Sequence, residues 1–276
     1  MKSNLKETIK SIRENDWIIP EGINNYELTL EMLRNIGSTD SEFRDDLILT
    51  LLIKIIIGNR ISKDEIMKLL DICLGKDYLF YNIGQTSDDS VFKRTFTLLA
   101  IEVIIYTNNQ CEKQFIKDEK VLDVYRKILR YTNLERDVRG YVNIKGWAHS
   151  SAHTSDVLCV LAESKAIGHE ELIKILEVVR EKVFIDYYTY INQEDERLAR
   201  TVTCVLDRKI ISDEEMINWI KSFYIKDKKY TNEEEHLREN IKIFLRSLYF
   251  RFKNLNYDKN FISNIEKQID MLPAYF

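Results

Sequence analysis

The stretch CVLAESKAIGHEELIKIL, residues 159–176, returns with one gap as CVLDRKIISDEEMINWI at 204–220. Both copies open on an apolar run, break at a short polar turn, and restart at a Gly or Ser followed by acidic residues. A small or hydroxyl residue ahead of an acidic first turn satisfies the orphan amides of a helix start and complements the helix dipole. Each copy therefore reads as the end of one helix and the beginning of a second. The same start recurs at SKDEIMKLL (62), DEKVLDVYRKIL (118) and DKNFISNIEKQI (258), each time behind an apolar helix: FRDDLILTLLIKII (43), VFKRTFTLLAIEVII (91) and EHLRENIKIFLRSLYF (235). The starts are spaced roughly 45–55 residues apart, close to the length of a HEAT-type helix pair.

Apolar residues keep helical spacing through most of the chain, and two-residue alternation is nowhere sustained. The expected fold is a single all-α domain over 1–276, with antiparallel hairpins at about 43–72, 91–130, 147–182, 195–223 and 235–271. These would stack as a HEAT-like α/α solenoid with a right-handed superhelix, preceded by helices near 3–15 and 23–36. Only two Pro and eight Gly interrupt the 276 residues, and no Ser/Gly- or Pro-rich linker marks a boundary.

Composition narrows the function classes. A chain with 45% hydrophobic and 31% charged residues suits a soluble globular protein, and a net charge of −4 argues against general nucleic-acid binding. The four Cys are scattered without a CxxC pair, so neither a zinc knuckle nor a disulfide framework is indicated. LILTLLIKIIIG (47–58) is too short for a membrane span and carries Lys54, and the amphipathic N-terminus lacks the apolar centre of a secretory signal. The expected location is cytoplasmic.

One segment departs from helix-building sequence: RGYVNIKGWAHSSAHTSD, 139–156, which holds two of the four His in the chain. A helix starting near Gly146 would set His149, His153 and Asp156 at i, i+4 and i+7, within an arc of about 60°. Such a triplet is a candidate site for one divalent ion such as zinc, or for a general base with an orienting carboxylate. Position 150 is Ser, so the HExxH protease signature is absent. Arg44, Arg94, Asp137, Arg139, Glu196 and Arg197 lie near the starts of leading helices or in the loop before this segment, where stacking would align them along one groove. Tyr141 and Trp147 are candidate walls. Hydrogen-bonded packing and inter-helix salt bridges are the plainer readings of the same residues. Two long aromatic connections, 74–90 and 131–146, stand out as segments of the kind that commonly carry function.

The pattern ERDVRGYVNIKGWAHSSAHTSD, with FRDD (43–46) and KRTF (93–96) ahead and EDERLAR (194–200) behind, resembles the bacterial family catalogued as domain of unknown function 2785. The resemblance implies an all-helical cytoplasmic protein and groups Arg139, Gly140, Tyr141, Gly146, Trp147, His149, His153, Asp156, Glu196 and Arg197, without assigning them roles. Two function classes follow. The first is a binding protein whose Arg/His/Asp groove takes a small anionic ligand or a peptide, because guanidinium matches carboxylate and phosphate in bidentate fashion. The second is a hydrolase, with or without a metal ion, that uses His149, His153 and Asp156. No nucleophile elbow, phosphate loop or dinucleotide glycine pattern is present, which favours binding.

Overall fold

A computed structural model describes residues 2–225 and 231–272. The chain is all-α: among the described residues the only sheet is one antiparallel pair of two-residue strands. It divides into two compact units, Met1–Val160 and Leu161–Phe276, and the boundary falls inside a helix, which is why no linker composition announces it.

The first unit opens with α1 (Lys2–Glu14) and α2 (Asn25–Arg34). A π-wound segment, Glu42–Leu49, runs directly into α3 (Thr50–Ile57), followed by α4 (Lys63–Cys73), α5 (Ser90–Gln110) and α6 (Asp118–Leu134). The strands β1 (Tyr141–Val142) and β2 (Gly146–Trp147) then lead to α7 (Ser150–Glu163). Ser62 caps α4 through a reciprocal box with Glu65. The 21-residue α5 packs on both α3 and α4, and Leu47, Leu51, Ile55, Phe92, Ile101 and Ile105 are fully shielded from water.

The second unit holds α8 (His169–Val183), α9 (Glu194–Leu206), α10 (Asp213–Lys221), α11 (Asn232–Asn254) and α12 (Lys259–Met271). Helix α11 lies against α9 and α12, and α10 against α12. Phe223 and Phe244 stack at 5.2 Å with Trp219 edge-on at 4.8 Å from Phe223, and the indole N–H of Trp219 donates to the Leu176 carbonyl at 2.9 Å. Ser212 and Glu215 form the capping box of α10.

Helices occupy the spans expected from the sequence, with one difference. The exception lies at the segment of greatest interest. The helix expected near Gly146 begins at Ser150, because Gly146 (φ +80°) and Trp147 are drawn into the strand pair and His149 (φ +52°) turns the chain into α7.

Candidate functional site

Two buried arginines set the geometry. Arg94, on α5, is fully enclosed and all its nitrogens are engaged. Nε and Nη2 grip the two Glu135 oxygens at 2.6 and 2.8 Å, Nη1 donates to the carbonyls of Tyr81 and Asn82 and to Ser90 Oγ, and Nη2 reaches the Gln85 carbonyl. Glu135 also accepts from the Tyr131 hydroxyl at 2.8 Å and from the backbone amides of Arg136 and Asp137 at 3.0 Å. Burial, reinforced by the Glu135 charge, raises the Tyr131 pKa well above that of an ordinary phenol, so its hydroxyl is a donor at neutral pH.

Arg44, in the π-wound segment, is equally enclosed. Its guanidinium lies over the rings of Phe92 and Phe96, 4.4 and 4.5 Å from their centroids. Nη1 donates to the Ser38 carbonyl at 2.6 Å, Nη2 to the Lys145 carbonyl at 2.8 Å, and Nε is 2.7 Å from Asp45 Oδ1. Burial raises the Asp45 carboxyl to about 6, although Arg44 opposes the shift. Gly146 makes this docking possible: a Cβ there would meet Ser41 Cβ at 2.8 Å and Arg44 Nη2 at 2.9 Å. Neither arginine can offer donors to a ligand. The sequence-based assignment of Arg44 and Arg94 as anion contacts is therefore corrected: both hold loops in place.

What they hold is a two-faced hairpin. Tyr141 pairs with Trp147 and Val142 with Gly146, and the pairing continues where the amides of Ala148 and His149 donate to the carbonyls of Gly140 and Arg139, each at 2.9 Å. Side chains alternate across such a pair. Ala148 packs inward with Val91 and Phe92, with Val142 against them. The outer face carries Arg139, Tyr141, Trp147 and His149. Tyr141 and Trp147 are 55% and 39% exposed. The Trp147 and His149 rings stack at 4.7 Å, and Tyr141 meets Trp147 edge-on at 5.1 Å. Asp137 grips Nε and Nη2 of Arg139, the closest contact being 2.6 Å, and Nη2 also reaches the Asp88 carbonyl at 2.8 Å. Nη1 of Arg139 makes no hydrogen bond among the described residues. One edge of an oriented guanidinium thus stands open on the hairpin face that also carries three rings.

His153 lies one turn inside α7, nearly buried, edge-on to both His149 (5.7 Å) and Phe96 (5.5 Å). Asp156 is buried further along the helix. His149 stands just before the first residue of the helix, yet the His153 amide donates to its carbonyl at 3.0 Å and the two rings remain neighbours. Among the described residues, the ligand atoms of His149, His153 and Asp156 do not all come within 4.8 Å of one another, so this set is not assembled as a metal centre. Glu196 and Arg197 belong to the second unit, exposed on α9, where Glu196 faces Arg251 at 3.4 Å.

The enclosed carboxylate of Glu135, the tyrosine behind it and the Gly146 contact tie the irregular segment 135–149 to the first unit. That segment falls in the middle of a family match covering residues 79–250. The chain belongs to the family described as Protein of unknown function (DUF2785). No curated protein and no solved structure matches it. In this DUF2785 chain Glu135 heads the ERDVRGYVNIKGWAHSSAHTSD pattern. Its role as the acceptor for Arg94 was signalled only by the apolar company of Arg94 in α5. No helix among the described residues is long and apolar enough to cross a membrane.

Proposed function

We propose that this protein is a cytoplasmic binding protein that docks an anionic partner, a small oxyanion ligand or an acidic peptide segment, on the outer face of the 139–149 hairpin. The hairpin's presentation of Arg139 carries this reading. Asp137 fixes the guanidinium while its Nη1 edge stays open, and Tyr141, Trp147 and His149 form an aromatic wall next to it. A guanidinium already oriented by a carboxylate loses little freedom on capturing an oxyanion. Exposed Trp and Tyr supply contact area at low entropic cost. The succession of short helices within each unit supports a HEAT-like repeat as the scaffold for this face.

The chain has three tryptophans, Trp17, Trp147 and Trp219. In a W17F/W219F background Trp147 alone reports. Titration with hexaglutamate should change its emission saturably and in a salt-sensitive manner, a neutral hexapeptide should not, and R139Q should abolish the response. Because R139Q also leaves the buried Asp137 without its partner and lowers the melting temperature, the comparison is made well below its melting point, where circular dichroism shows the helices intact. An equal response in R139Q, or none to hexaglutamate, phosphate or acetate at millimolar concentration, would overturn the proposal. Ester or amide turnover that is lost in H149A would replace it with the hydrolytic reading.

A further inference from the structure

A separate groove of about 680 Å³ opens in the first unit between α1, the turn after α2, and the residues that lead into α5. This volume is in the range of small-molecule sites. Its charges can be accounted for one at a time. Lys6 is held by Asp40 at 2.6 Å and Glu42 at 2.8 Å. Asp88 accepts from the Ser90 amide and hydroxyl, and Asp89 accepts from Lys145 at 2.8 Å. Glu7 is a solvated rim residue, its side chain 71% exposed and 4.0 Å from Lys10.

Two lining residues remain uncommitted, and both are cationic. Arg34 and Lys93 have no carboxylate within 4.0 Å among the described residues. The Lys93 ammonium sits between the rings of Tyr78 and Tyr81, 4.6 and 4.8 Å from their centroids, so its water shell is partly replaced by ring faces. Its stem is fixed as well. A Cβ on Gly37 would lie 2.5 Å from Lys93 Cβ, which means the turn after α2 rests directly on the base of this side chain. Burial lowers the Lys93 pKa, and the charge of Asp77, which forms no ion pair with it, opposes the shift without overcoming it.

We propose that this groove is a second ligand site, which takes a small oxyanion, a carboxylate or a phosphate group, between Lys93 and Arg34. The net charge of the lining hides this preference, because every acidic group except the solvated Glu7 already has its own donor. The proposal does not depend on the hairpin reading. Its residues are different, and so is its read-out.

The test is thermal melting and isothermal titration calorimetry of the full chain with inorganic phosphate, pyrophosphate, acetate and citrate, each against sodium chloride at matched ionic strength. At least one anion should raise the melting temperature saturably, as mass action requires of a ligand that binds the folded state. The phosphate and carboxylate arms then distinguish the two chemistries. K93M and R34Q should each weaken binding at least tenfold. K93M removes a desolvated charge and is expected to be no less stable than wild type, and R34Q alters an exposed side chain, so it decides the matter even if K93M fails to fold. Absence of any saturable shift, or wild-type affinity in R34Q and K93M, would overturn the proposal.

Discussion

Replacing Glu135 by Gln tests whether the buried arginines are scaffold or ligand contacts. Gln is nearly isosteric, but it cannot serve the five donors that converge on the carboxylate: Arg94 Nε and Nη2, the Tyr131 hydroxyl, and the amides of Arg136 and Asp137. One of its two terminal atoms is a donor facing other donors. The larger effect is on Arg94, which is fully enclosed and would keep its charge without a counter-ion. Breaking a buried pair by removing one partner costs about 3–5 kcal/mol. At about 2–4 °C per kcal/mol for a chain of this size, the melting temperature should fall by roughly 6–20 °C. The assay is thermal and urea unfolding followed by circular dichroism for wild type, E135Q, R94M and the double variant R94M/E135L. The double variant should lose much less than the sum of the singles, because the two groups act as a unit. R94M alone should be at least as damaging as E135Q, since it also strips the carbonyls of Tyr81, Asn82 and Gln85 of their donors. A loss below about 1 kcal/mol in E135Q, the range of an exposed pair, would refute the scaffold argument and return Arg94 to the set of candidate ligand contacts.

Asp45 should make the protein more stable towards acid over one window. With its folded pKa near 6 and its unfolded value at 3.8, the folded chain retains a proton that the unfolded chain has lost, so stability falls as pH rises from about 4 to about 6, by at most about 3 kcal/mol. Urea melts across that range should show this slope in the difference between wild type and D45N, and a flat difference would contradict it. G146A places a Cβ into Ser41 and Arg44 at a φ of +80°, and should cost about 2 kcal/mol or more while exposing Trp147, visible as a red shift of its emission. Ile144, β-branched, 85% exposed and held at φ +68°, should tolerate Gly with a gain of about 1 kcal/mol in urea unfolding; a loss would mean that its side chain makes contacts worth more than the relieved backbone strain.

The helices were legible because their causes are local. Ser62 with Glu65 and Ser212 with Glu215 are capping boxes three residues apart, and the apolar faces behind them repeat at helical spacing. The start of α7 was misjudged because it is decided from a distance. Gly146 gives up a helical conformation to meet Arg44, which is 102 positions earlier in the chain, and the helix begins only after His149, at φ +52°. Arg44 and Arg94 were recognised as belonging with the 139–156 segment, but a charge pattern does not show whether a guanidinium meets a ligand or a backbone carbonyl. Lys93 escaped notice beside Arg94 for a related reason. Neighbouring positions on a helix point in different directions, so Arg94 turns into the core while Lys93 turns to the groove. The aromatic connection at 74–90 was a usable signal for that groove, since it supplies Tyr78 and Tyr81.

The two sites have one element in common, and the reason is an accounting of backbone hydrogen bonds. Segments outside helices and sheets must find other partners for their carbonyls when they are enclosed. In the first unit those partners are arginines: Arg94 for Tyr81, Asn82 and Gln85, Arg44 for Ser38 and Lys145, Arg139 for Asp88. Each guanidinium supplies several donors in a fixed plane, which is what an irregular loop needs and what a methionine or leucine of similar volume cannot provide. The turn at Asp88–Ser90 is held from both sides in this way, by Arg139 and Lys145 from the hairpin and by Arg94 through Ser90 from α5. That turn forms one wall of the Lys93 groove, while the residue that fixes it, Arg139, presents its open edge on the hairpin face. Stiffness in these loops therefore comes from the buried cations. Arg139 with one unused edge, and Lys93 with Arg34 in the groove, are the cations beside these loops that the proposals assign to a partner.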